Sequence, residues 1–195
     1  ALDPMLNGSN VGTKAEAITD AQVAQFYAAG DDMSIHAYAG ERTALMSREQ
    51  IRQDALLSHQ WLQDRGYVRG RQWRAAWTQN DAPHHAAARP YYVAYASPNS
   101  GASLTAWPFP DPWNVPRVNL QGSDSSRIDA FFQTLQRTNG LMVCYTHGIH
   151  EDGGSDMTPA QWAYLMQKID AAKAEGWLEG VTFSQLLERS SGLMR

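Results

Sequence analysis

An α/β fold, layered or barrel-shaped, is what the sequence predicts, and two observations predict it. Segments with helix caps and apolar residues at helical spacing alternate with short apolar or aromatic runs of strand length. One of those runs, Leu141 to Tyr145, is continuously apolar, as strands buried in a parallel sheet are.

Caps and periods locate the helices in order. The first starts near Thr19, carries Val23, Phe26 and Tyr27 on one face, and ends before Gly30. The second opens on Ser47-Arg48-Glu49-Gln50, a capping box in which Ser and Gln satisfy each other's backbone N–H groups. Ile51, Ala55, Ser58 and Leu62 follow at helical spacing, and Gly66 stops the run. The third covers about Ser126 to Arg137, with Ile128, Phe131, Phe132 and Leu135 apolar. The fourth has Thr158 as cap, Pro159 at its first position and Gln161 completing the box. Its stripe is Trp162, Leu165, Met166, Ile169 and Ala172, with Gly176 beyond its end. A short fifth helix spans about Ser184 to Arg189.

Between the helices lie strand-like runs at Met33 to Tyr38, Tyr91 to Ala96, Pro116 to Leu120 and Leu141 to Tyr145. The stretch from Thr78 to Pro116 is mostly aperiodic and rich in Pro, Asn, Ser and Trp, and reads as long loops over one face. No repeat or linker divides the chain, so residues 1–195 read as a single domain.

Composition narrows the function classes. With 43% hydrophobic and 18% charged residues, the chain can bury a core. A net charge of −4 and no basic patch argue against a nucleic-acid partner. No apolar run reaches the ~20 residues that span a bilayer. The single cysteine, Cys144, sits in an apolar run and is expected to be a buried, inert thiol. The start, Ala1-Leu2-Asp3-Pro4, has neither Met nor a signal pattern, as in a chain processed or excised from something longer.

Two histidines stand at strand ends, His36 and His147. Ligands of α/β folds collect at the carboxyl ends of parallel strands, so the two rings either face one pocket or are separate packed or surface residues. His147 and His150 make a His-x-x-His pair, followed by Glu151 and Asp152, but no helix holds both rings on one face. His84 and His85 read as a solvated loop pair, and His59 as a surface residue of the second helix. Trp73, Trp77, Trp107 and Trp113 cluster in or beside the long loops. Their faces suit the apolar faces of sugar rings, or they cover the core where regular elements are missing. There is no Gly-x-Ser-x-Gly elbow to support a serine esterase.

The order of these elements resembles the polysaccharide deacetylase (NodB-homology) family of carbohydrate esterases, from that family's second strand, matched by Leu2 to Leu6, to the C-terminus. Ile18 to Tyr38 is similar to the family's helix, Gly turn and strand; Trp73-Arg74-Ala75-Ala76-Trp77 to its aromatic-Arg-x-Pro motif; Leu141 to Ile149 to its Leu-x-His motif; and Gly176 to Leu187 to its closing segment. The resemblance implies a distorted or incomplete (β/α) barrel, incomplete because the family's first strand and its Thr-Phe-Asp-Asp motif are missing. The implied activity is hydrolysis of N- or O-acetyl groups on a glycan. A divalent metal, usually zinc, polarises the carbonyl there and lowers the pKa of its water. By resemblance His36 is a metal ligand, His147 the catalytic acid, and Arg74 the residue that orients the catalytic carboxylate. Tyr38, Trp77 and Trp113 would bind polysaccharide.

Departures accompany the resemblance. The second metal His falls on Gly40, which has no donor, and Ala76 replaces the motif Pro. Asp31, Asp32 and Glu41 are the nearby carboxylates that stand as candidate replacements. The alternative expectation is therefore a catalytically degenerate carbohydrate-binding module of a larger glycan-directed protein, such as a phage tail protein. The setting implied is extracellular, cell-surface or virion-associated, with an oligomer partner or an upstream segment completing the barrel.

Overall fold

In the computed structural model of the chain, the residues described are 5–6, 11, 18–36, 38, 46–69, 72–73, 82–92, 94–95, 104, 111–151 and 156–193. Contacts group the chain into two compact units. The first comprises Ala1–Pro98, Asp111–Val115 and Val181–Arg195; the second comprises Asn99–Pro110 and Pro116–Gly180.

The first unit is built on a parallel sheet in the order β1 (Met5–Leu6), β2 (Ser34–Ile35), β3 (Gln72–Trp73), β4 (Ala94–Tyr95). The registers pair Met5 with Ser34, Ile35 with Trp73, and Trp73 with Tyr95. Helices α1 (Asp20–Ala28), α2 (Arg48–Asp64) and α3 (Ala82–Ala88) make the connections, as parallel neighbours require. Thr19 and Ser47 form capping boxes with Gln22 and Gln50, in line with the sequence pattern. Val23, Met33, Ile35, Ile51, Ala55 and Leu62 form the core. Ser58 is buried on the same helix face, as its spacing predicts.

Helix α3 corrects the reading of Thr78 to Pro116 as loops. Pro83 is tolerated in a first helical turn, and Ala86-Ala87-Ala88 favours the helical backbone. Ala87 and Ala88 are buried, and α3 packs on α2. His84 and His85 thus lie on a helix, and His85 is half-buried. His59 is half-buried too, not a surface residue; its ring is 5.6 Å from that of Tyr91 and 6.1 Å from that of Tyr92.

The last helix, α6 (Phe183–Leu193), is longer than expected. Gln185 N–H donates to Thr182 Oγ1 (3.2 Å) and Thr182 N–H to Gln185 Oε1 (2.8 Å), a third Thr–Gln box. Asp32, fully buried at the entry to β2, accepts a hydrogen bond from Ser184 N–H at 2.6 Å. A carboxylate at a helix N-terminus meets unpaired N–H groups and the positive end of the helix dipole.

The second unit is a β-α-β segment followed by a helix. Strands β5 (Val118–Asn119) and β6 (Cys144–Tyr145) are parallel, pairing Val118 with Cys144 and Asn119 with Tyr145. Helix α4 (Ser125–Thr138) connects them and α5 (Pro159–Ala174) packs on α4. Val118, Leu120, Ile128, Phe132, Met157 and Leu165 form its core. Asp129 joins the two helices by accepting from Tyr164 Oη (2.8 Å) and pairing with Lys168 (2.9 Å). Cys144 has an exposed surface, which corrects the expected full burial, while the protein packed around it still pushes its thiol pKa up. Alternation explains it: in a two-residue strand only one side chain can point to the core side.

Candidate functional site

The second unit gathers polar side chains at the carboxyl ends of β5 and β6, the place where parallel α/β sheets bind ligands. Gln121 lies two residues beyond β5 and His147 two residues beyond β6. Gln121 sits in a turn closed by Ser123 N–H donating to Leu120 O (3.1 Å). Gly122 takes a φ of +61° there, which glycine adopts without a Cβ penalty. Asp124 then caps α4 by accepting from Arg127 N–H at 2.9 Å.

A third segment brings Asp156. Ile149 and Met157 form a parallel bridge, with His150 N–H donating to Met157 O (2.9 Å) and Met157 N–H to Gly148 O (3.3 Å). Gly122 N–H donates to Asp156 O at 3.2 Å, and Thr158, two residues further on, caps α5. Asp156 is therefore held from both sides by backbone.

Its two carboxylate oxygens serve different partners. Oδ1 accepts from Gln121 Nε2 at 3.2 Å, and Oδ2 lies 3.4 Å from His150 Nε2. Gln121 Nε2 also contacts His147 Nδ1. The pair His147–His150, read from spacing as a possible metal pair, is therefore divided: one ring meets an amide and the other a carboxylate. The buried Arg117 guanidinium lies 4.3 Å from the Tyr145 ring centroid, and the Tyr145 and His147 rings meet edge-on at 5.7 Å. Histidine, amide and carboxylate form a polar cluster that can orient a proton donor, and the aromatic ring beside His147 has a buried cation over its face.

Sequence inspection singled out His147 and passed over Gln121, Asn119, Asp156 and Arg117. The first two had a legible signal, because they stand at the end of the Pro116–Leu120 strand just as His147 stands at the end of Leu141–Tyr145. Asp156 had none, since its approach depends on the Ile149–Met157 bridge.

The other expected site residues belong to the first unit. His36 directly follows β2 and is half-buried. Tyr38 is half-buried against the core, and its N–H donates to the buried carboxylate of Asp54 on α2 at 2.9 Å. Asp32, a possible substitute ligand, is engaged by the α6 N-terminus instead. Trp113 is 8% exposed and part of the core. The Arg89 guanidinium lies 4.9 Å from its ring centroid and His85 5.6 Å. This is the core-covering arrangement of a tryptophan. Arg74, Trp77, Gly40 and Glu41 lie outside the described residues.

Of the metal donors that the family resemblance implies, the described residues supply His36. Among the described residues no three His, Cys, Asp or Glu side chains converge as a metal site needs. Gly40 offers no side-chain donor. These residues alone do not fit a bound metal ion, and no chemical step is derived through one.

No family model and no curated protein matches the sequence. Solved structures do match in fold. A family 4 carbohydrate esterase from Streptomyces lividans in complex with acetate superposes with a TM-score of 0.54 at 15% identity, over 85% of this chain and 72% of that one. The Xyl-CE4 domain of a multidomain xylanase from the hindgut metagenome of Trinervitermes trinervoides gives 0.50 at 12% identity, over 88% and 68%. The chain therefore shares the fold of family 4 carbohydrate esterases. No helix among the described residues is long and apolar enough to cross a membrane.

Proposed function

We propose that this chain is a carbohydrate deacetylase domain that hydrolyses acetyl groups on a polysaccharide, with a distorted barrel as its full architecture. The observation that carries the reading is the fold likeness to two carbohydrate esterases over most of the chain. The carboxyl-end cluster around His147 supports it. In this reading His147 acts as the acid toward the leaving group, and Arg74 orients the catalytic carboxylate. Tyr38 and Trp77 bind the glycan. Zinc dependence is the finer part of the proposal. His36 would give one ligand, and the remaining ligands would come from outside the described residues.

The test is acetate release from acetylated xylan and acetylated chitooligosaccharides, with EDTA, zinc or cobalt, for the chain alone and with upstream residues added. Release that His147→Gln abolishes supports the proposal. No release under any condition refutes it. The glycine at position 40 favours a second reading, a non-catalytic glycan-binding module. That reading predicts saccharide affinity that a chelator leaves unchanged and Trp77→Ala weakens.

A further inference from the structure

We infer that Gln121 is a positioning residue that holds the proton of neutral His147 on Nε2, with Asn119 and Asp156 fixing the direction of its amide. The argument begins at a group with one possible role. The backbone N–H of Gln121 can only donate, and its acceptor is Asn119 Oδ1 at 2.9 Å. That assigns the other end of the Asn119 amide: Nδ2 faces Gln121 at 2.7 Å and must donate, so the atom it meets is Gln121 Oε1. Gln121 Nε2 is then the end that faces Asp156 Oδ1 and His147 Nδ1. An ionised carboxylate only accepts, so Asp156 requires the same orientation independently. Amide directions are ordinarily ambiguous, but here a backbone donor at one end and a carboxylate at the other agree.

The consequence falls on His147. A side-chain amide nitrogen has two hydrogens and no acceptor capacity. One hydrogen goes to Asp156 and the other to His147 Nδ1, which must therefore be the bare, accepting nitrogen. The ring proton is on Nε2. An imidazolium would set N–H against N–H at this contact, and the Gln121 amide could turn to relieve it only by breaking with both Asn119 and Asp156. His147 thus meets a reacting group as a neutral hydrogen-bond donor through Nε2. This use of the ring rests on the deacetylase reading, whereas the proton position does not.

Nitrogen NMR of the ¹⁵N-histidine-labelled protein tests it, with the six histidines sorted by the signal lost in His147→Gln. Above the titration midpoint seen in the same spectra, His147 should show a pyridine-like Nδ1 and a pyrrole-like Nε2. Gln121→Glu, which offers an acceptor to Nδ1, should reverse the two signals, and Asn119→Ala should mix them. A protonated Nδ1 in the unaltered protein, or tautomer signals that neither variant moves, would overturn the inference whatever the activity. The expected signals in a protein that releases no acetate would uphold the proton position and sink the deacetylase reading alone.

Discussion

Replacing Asp32 by alanine separates two roles for a carboxylate four residues before His36. Asp32 has no solvent exposure, and its Oδ2 receives the Ser184 N–H at 2.6 Å. As a support for α6, its removal leaves that N–H without its acceptor, which costs about 1–3 kcal/mol for a buried donor. Loss of the charge at the helix N-terminus adds about 0.3–1 kcal/mol. Relief of the buried charge offsets part of this, so the net loss should be about 2 kcal/mol. For a chain of this size that corresponds to a Tm lower by roughly 4–8 °C. Asp32→Asn keeps an acceptor oxygen but not the charge, and should lose about half as much. The assay is urea unfolding followed by circular dichroism, run with EDTA and with zinc, alongside amide exchange of α6. The structural role predicts the same loss in both conditions and faster exchange in residues 183–193. A change below about 0.5 kcal/mol, or a loss confined to the zinc samples, would refute it and make Asp32 a metal ligand.

Two further predictions concern the same unit. The phenol of Tyr92 is 2% exposed and its pKa is raised, first by burial, with the nearby Ser58 hydroxyl opposing in part. A raised folded-state value means that the neutral phenol stabilises the fold fully below its ordinary value of about 10. Stability should therefore be lost as pH climbs above 10 toward the raised value, by about 1.4 kcal/mol per pH unit. Tyr92→Phe should flatten that slope, and an unchanged slope in alkaline urea titrations would contradict the assignment. Trp113→Ala should cost about 3–5 kcal/mol, as truncation of a buried aromatic does. Saccharide titration at a temperature where the variant stays folded should show a smaller change in affinity than Trp77→Ala; the reverse order would make Trp113 the sugar platform.

Much of the local structure was legible because it depends on neighbours in the chain. The Thr19, Ser47 and Thr158 boxes each need only a hydroxyl and an amide three residues apart, and all three formed where the pattern lies. The Thr182–Gln185 box had the same spacing and was passed over. Helix α3 was hidden by composition: Pro83 and two histidines obscured an alanine run that becomes helical by packing on α2. Trp113 shows the limit from the other side. Its identity fits a sugar platform or a core lid equally well, and the placement of Arg89 and His85 decides which face it turns.

The candidate site divides in the same way. By itself the sequence determined that His36 and His147 stand at strand ends, because apolar runs and the polar residues that end them are local properties. It also determined that Gly40 cannot be a side-chain ligand, because no fold gives glycine a donor side chain. Only the tertiary structure decided that Asp32 serves a helix 152 positions away. Only it brought Asp156 to Gln121, 35 positions apart, and Gln121 to His147, 26 positions apart. Spacing carries no information across such separations, since the chain between them can close in many ways. The strand pairing Asn119–Tyr145 and the Ile149–Met157 bridge choose one, and with it the nitrogen on which His147 keeps its proton.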